Sequence, residues 1–158
     1  MSPVVRANWL LAGLILLLAG WIWLDRHERA PIPTVTALEP SEIIHVQLWK
    51  GDEPLAELVR KNGQWYWQPE GKAVEAKDWV NRLLHFAELP SLHRFPVDEA
   101  RLREFGLKPP RYRLLLNDQA LEFGMLDPAS GLRYLRVGKI IHLITDSYTH
   151  ELARVPHA

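Results

Sequence analysis

Ile43-Ile44-His45-Val46-Gln47-Leu48-Trp49-Lys50-Gly51-Asp52-Glu53-Pro54-Leu55-Ala56-Glu57-Leu58-Val59-Arg60-Lys61-Asn62-Gly63-Gln64-Trp65-Tyr66-Trp67-Gln68 is the most informative run in this sequence. Ile44, Val46 and Leu48 alternate with Ile43, His45, Gln47 and Trp49, the two-residue period of a strand with one buried face. Lys50 to Glu53 turns the chain, and Leu55 to Lys61 reads as a second strand. Asn62-Gly63 is the strongest short hairpin signal, and Gln64 to Gln68 returns as a third strand carrying Trp65, Tyr66 and Trp67. The run predicts a three-stranded antiparallel meander.

C-terminal to it, Ala76, Trp79, Val80, Leu83, Leu84 and Ala87 recur at helical spacing until Pro90 ends the pattern, giving a helix able to cover one sheet face. Leu92 to Phe95 reads as a short strand and Asp98 to Phe105 as a short helix with an acidic first turn. Gly106 is placed for the left-handed C′ conformation, with Leu107 folding back and Pro109-Pro110 preventing continuation. Four further strands are expected at Tyr112–Leu116, Ala120–Gly124, Leu132–Val137 and Ile140–Thr145. Asp146 or Ser147 then caps a last helical turn or two through Ala153. Leu48, Asp52 and Leu55 align with Leu114, Asp118 and Leu121 at one fixed offset. Three matches leave a duplicated β-meander plus helix unit and a chance echo both open.

N-terminal to the meander, Ala7 to Leu24 is an 18-residue stretch without a charge, 15 of its residues hydrophobic. At 1.5 Å per residue it makes a helix of about 27 Å, near the hydrocarbon thickness of a bilayer. Trp9, Trp21 and Trp23 fit interfacial belts, and Arg6 and Arg26 can snorkel from the two ends. A cleaved signal peptide would need a well-placed small-residue site, and Leu18-Ala19-Gly20 is followed by Trp21, with no thiol to lipidate. Counting Lys and Arg leaves the orientation near a tie; the short N-terminal head favours N-in, with the body outside the cytoplasm.

The expected organisation is therefore a transmembrane anchor with its flanks (1–29), a Pro-rich spacer (30–38) and one extracytoplasmic α+β domain (39–158). In this class, antiparallel β-meanders carry covering helices.

Phe105-Gly106-Leu107-Lys108-Pro109-Pro110, a strand ending in Phe123-Gly124, then Tyr134, following the Trp65-Tyr66-Trp67 hairpin and an amphipathic helix, together resemble domain-of-unknown-function family 4340. The resemblance spans roughly residues 40 to 153, and Gly106-Leu107-x-Pro109-Pro110 with Gly124 is its most specific part. Members look like single-anchor bacterial envelope proteins, some beside transporter components of the gliding-motility type. The resemblance implies an extracytoplasmic body and transfers no catalytic residue. This chain departs from longer members by holding one copy of the domain.

The chain has 158 residues, 19 basic against 19 acidic side chains, and no cysteine. The missing thiols exclude disulfides, thiolate metal sites and a cysteine nucleophile. Zero net charge argues against a general nucleic-acid binder. No G-x-S-x-G elbow is present, and neither Gly71-Lys72 nor Gly138-Lys139 has the first glycine of a phosphate-cradling loop. His150-Glu151-Leu152-Ala153-Arg154 stops short of a zinc helix because Arg154 stands where the second imidazole belongs. His45 and His142 lie on predicted strands and could meet across a sheet, though packed or hydrogen-bonded imidazoles are the simpler reading. No catalytic residue, cofactor or metal is assigned.

Two surface features remain. Residues 101–139 carry eight bases against four acids, and 39–99 carry eleven acids against seven bases. Arg111, Arg113, Arg133 and Arg136 fall on or beside neighbouring strands. They form either a basic face for anionic lipid heads or an acidic partner, or solvated residues paired with acids. Trp65 and Trp67 share one strand face and either stack on a sugar or partner, or lie under the Trp79 helix. The leading expectation is a non-enzymatic accessory protein docking to another envelope protein. A glycan or anionic-lipid binding module is the second reading and a hydrolase the third; the oligomeric state is left open.

Overall fold

The structure is a computed structural model that describes residues 3–28 and 32–156; of residues 3–7, 10, 24–28 and 148 it describes the backbone alone. The chain divides into two compact units, Met1–Ile32 and Pro33–Ala158.

The first unit is the helix α1, Pro3–Glu28. Leu14, Ile15, Leu16, Leu17 and Leu18 are all exposed, and five consecutive residues go more than once around a helix, so its apolar surface is not confined to one stripe. Among the described residues no helix is long and apolar enough to cross a membrane.

The second unit is an α+β fold built on one eight-stranded antiparallel sheet. Its strands are β1 (His45–Lys50), β2 (Glu53–Lys61), β3 (Gln64–Trp67), β4 (His93–Pro96), β5 (Tyr112–Leu116), β6 (Gln119–Leu126), β7 (Arg133–Val137) and β8 (Ile140–Ile144), and the helix α2 spans Lys77–His85. Their order across the sheet is β3-β2-β1-β5-β6-β7-β8-β4. Two meanders thus meet at the β1–β5 seam. The β2–β3 hairpin closes through Asn62 and Gly63 at φ 50° and 80°, the pair of positive values a type I′ turn demands.

Positions 66 residues apart occupy equivalent places about the seam. Leu48 pairs with Leu114 itself, flanked by Val46↔Leu116 and Lys50↔Tyr112. The Gly51 N–H donates to the Arg111 carbonyl at 3.1 Å, and the Asn117 N–H donates to the His45 carbonyl at 2.9 Å. Gly51 and Asn117 both turn the chain with positive φ. β1 and β5 are therefore related by a local twofold in their register.

One sheet face carries the main core. Val46, Leu48, Leu58, Leu114, Leu116, Leu121, Phe123 and Leu135 are fully buried on it, beneath Trp79, Val80, Leu83 and Leu84 of α2 and the 3-10 turn Phe86–Glu88. A 3-10 helix, Asp146–Ala153, completes the cover. Trp79 Nε1 donates to the Glu151 carbonyl at 3.3 Å, and Arg82 meets Glu151 at 3.0 Å, joining this helix to α2. The opposite face is covered over β7, β8 and β4 by Leu102, Phe105 and Leu107, packed on Ile141, Phe95, Val97 and Tyr134.

Several expectations change. Ile44 is exposed while Ile43 is buried, because β1 begins at His45 and the alternation holds only inside it. Residues 98–105 form successive three-residue turns, not a helix: Arg101 N–H donates to Asp98 O and Glu104 N–H to Arg101 O. The predicted ending survives: Leu107 N–H reaches Leu102 O, Gly106 N–H reaches Arg103 O, and Gly106 has φ 65°, the paired bonds of a Schellman motif. Part of the expected spacer 30–38 makes contacts with the domain that follows it. Val35 N–H donates to Leu89 O at 2.9 Å, and Thr36 Oγ1 to Ala87 O at 2.8 Å, so residues 33–38 already pack on the second unit, while 30 and 31 lie outside the described residues.

Candidate functional site

Arg133 opens β7 on the same phase as Leu135 and Val137, so the pleat directs a guanidinium toward the main core. Its residue exposure is 8%. The charge is compensated locally: Nε donates to Asp146 Oδ1 at 2.5 Å, and Nη1 donates to the Gly124 carbonyl at 2.5 Å. That carbonyl faces Arg133 because the β6–β7 register shifts between Phe123 and Leu126, and a bulge takes backbone groups out of the regular ladder. The same peptide unit works on its other side, where Met125 N–H donates to the Phe105 carbonyl at 2.9 Å.

Around Arg133 lies a cavity of about 380 Å³, lined by Arg111, Arg133, Asp146, Thr149, His150 and Arg154, with Tyr112 and Ala153 supplying apolar wall. Arg111 reaches it from the residue before β5, stacking its guanidinium 5.9 Å from the Tyr112 ring centroid. Arg154 comes from the residue after the 3-10 helix. Asp146 starts that helix, and Thr149 Oγ1 donates to its carbonyl at 3.1 Å and to its carboxylate. Burial pushes the Asp146 carboxyl up, but the hydrogen bonds from Arg133 and Thr149 and the charges of Arg133 and Arg111 outweigh it, leaving the group below the ordinary aspartate range. The cavity therefore holds three guanidiniums against one carboxylate, a surplus of two positive charges before His150 is counted.

The sequence candidates separate into three groups. Arg111 and Arg133 come together in this cavity. Arg113 and Arg136 lie on the other sheet face, flanking Glu122 in a cross-strand row. Arg113 meets Glu122 at 3.3 Å, and Arg136 meets Glu99 at 3.1 Å and Glu122 at 3.7 Å. A basic face made of all four arginines is thereby corrected, since two of them are neutralised where they stand. Trp65 and Trp67 are also corrected as an interaction surface. Each is only 9% exposed, and Trp67 stacks on Trp79 at 5.8 Å and 19°, a contact worth about 1 kcal/mol beyond its buried area.

His45 and His142 do not meet, because β5, β6 and β7 stand between their strands. His45 Nε2 bonds Glu57 Oε1 at 3.0 Å. Glu57 is held below its usual range by the Gln47 hydrogen bond first and the His45 bond second. His142 Nδ1 contacts Ser91 Oγ at 2.8 Å, a hydroxyl–imidazole pair that spacing did not reveal. Both residues are 4% exposed, and Ser91 Oγ also lies 3.3 Å from the His93 carbonyl; the pair is packed inside the fold, away from the cavity. Among the described residues no group of three His, Asp or Glu side chains could hold a metal ion.

Asp146, Thr149 and Arg154 join the site with no signal in the sequence, where Arg154 figures as the residue that spoils a zinc motif. Arg133 shares β7 with Arg136, one on each phase, and it is the pairing with β6 and β8 that puts Arg133 on the buried side. Compared with protein-family models, curated proteins and solved structures, the chain matches none.

Proposed function

We propose that this is a membrane-anchored, non-enzymatic accessory protein whose α+β domain docks to another envelope protein. The observation that carries the reading is α1, a continuous 26-residue helix in a compact unit of its own, whose described apolar side chains are exposed all round. Such a surface is satisfied by a lipid or protein environment and not by water. In this reading the whole of α1, together with the side chains of residues 7, 10 and 24 that lie outside the described residues, crosses the inner membrane with its N-terminus inside, and residues 33–158 lie outside the cytoplasm, as the likeness to family 4340 implies. The twofold register about β1 and β5 supports a duplicated meander unit as the origin of the domain.

Topology is the decisive first test. A C-terminal reporter active only outside the cytoplasm is expected to give signal when fused to the full chain, and cytoplasmic activity would overturn the placement. Crosslinking in intact cells is then expected to capture a specific envelope protein. Recovery of none from a correctly placed chain would remove the docking role.

A further inference from the structure

We propose that the cavity lined by Arg111, Arg133 and Arg154 is a binding site for a phosphate monoester group. The central observation is the state of Arg133. Its Nε and one Nη1 hydrogen are spent on Asp146 and Gly124, and its Nη2 makes no hydrogen bond among the described residues. A guanidinium has five N–H donors, so a residue that is 92% buried retains donors without a protein partner. No buried side-chain nitrogen or oxygen among the described residues is left unsatisfied. The free end therefore keeps access to solvent, and the cavity that Arg133 lines offers it an opening. A buried cation that is locked by two bonds and still presents free donors to a hollow is prepared for an anion.

The rest of the wall selects the kind of anion. Arg111 and Arg154 are exposed and make no ion pair among the described residues. Glu151, the acid nearest in sequence to Arg154, is engaged by Arg82 and His150. Two positive charges remain after Asp146 is counted, which matches a phosphate monoester carrying about −1.5 to −2 at neutral pH. Shape points the same way. A carboxylate has two oxygens in one plane and is satisfied by one guanidinium fork, whereas a phosphate presents three oxygens in different directions to donors from several sides. Here the donors come from three separate places in the fold: the residue before β5, the first residue of β7, and the residue after the 3-10 helix. Tyr112 and Ala153 add an apolar wall for whatever carries the phosphate. The site is complete within residues 33–158, so it stands apart from the fate of the docking reading.

The test uses the full chain in phosphatidylcholine nanodiscs, titrated calorimetrically with glycerol 3-phosphate. Saturable binding is expected, weakened about tenfold or more in the double variant Arg111→Gln with Arg154→Gln. Both side chains are exposed, so the variant should keep the wild-type melting temperature; Arg111→Lys with Arg154→Lys, which keeps charge but loses the fork, should fall between. A second arm compares nanodiscs containing phosphatidic acid: binding that shields Arg111 and Arg154 from a guanidinium-specific reagent assigns the phosphate to a lipid head, and binding of the free ester alone assigns it to a soluble molecule. Absence of saturable binding in both arms overturns the proposal. So does binding that the glutamine variant leaves unchanged, or acetate binding more tightly than the phosphate ester.

Discussion

A methyl group on residue 124 would sit 2.2 Å from the Phe105 carbonyl oxygen and 3.1 Å from Leu107 Cγ. Backbone cannot yield to such contact as a flexible side chain does, so the turn segment 98–110 and strand β6 must separate. Gly124→Ala is expected to destabilise the domain by about 3 kcal/mol, the upper range for overpacking. Its melting temperature should fall by about 10 °C, given the entropy of unfolding of a domain this size. Fluorescence-monitored melting checks this, because Trp65, Trp67 and Trp79 all report from the core; an unchanged transition would mean the close approach is not maintained. The sequence already marked Gly124 beside the Gly106–Pro110 segment. It could not give the reason, which is a contact between residues about twenty positions apart. Phase alone does not separate Arg133 from Arg136, since β7 carries one arginine on each of its two faces. The partners of Arg133 are not legible either, because Gly124 reaches it through a bulge in β6 and Asp146 from the start of the last 3-10 helix, and periodicity announces neither contact.

Elements whose burial follows a single period were readable, and those shaped by tertiary contact were not. Strands β1 to β3 and β5 to β8 fall close to their expected bounds, whereas the segment 98–105 was read as a helix. It has only two turns' length before Gly106, too short to repay helix nucleation unaided, and its i→i+3 bonds bring Leu102 and Phe105 onto the sheet instead. The pairing of β4 with β8 has a further consequence. Burial first, then the positive charge of Arg94, hold the His142 imidazole below its usual value. An unfolded histidine takes up a proton near pH 6.5, so between that value and the lower folded one the unfolded chain binds more protons. This contribution to stability is present above pH 6.5 and is lost as pH falls through the folded pKa. Urea unfolding at pH 7.5 and 5.5 should therefore show a loss of stability on acidification that is smaller in His142→Gln. Equal losses in the two proteins would place the pH sensitivity elsewhere.

Across the whole molecule, the two meanders share a backbone plan and differ in how they fill it. Beside β3, Trp67 and Trp79 stack and close the core; beside β7, Arg133 and Asp146 leave a cavity. Composition hinted at this difference through the excess of acids in one half and of bases in the other. Two of those charges are answered locally, since Glu122 alone pairs with both Arg113 and Arg136. What the linear sequence could not supply was the sheet order, in which β4 leaves its own meander to border β8. The Gly124–Met125 peptide gains a particular standing from this arrangement. Its carbonyl holds the guanidinium in the cavity and its N–H holds the turn segment packed on the other face of the sheet, so one rigid amide plane is a pivot shared by two layers. Any tilt that eases one bond strains the other. In an NMR spectrum the Met125 amide should therefore act as a spectroscopic sentinel, its resonance moving when glycerol 3-phosphate fills the cavity even though its own hydrogen bond faces away; a stationary signal on saturation would show that the two layers are insulated from each other.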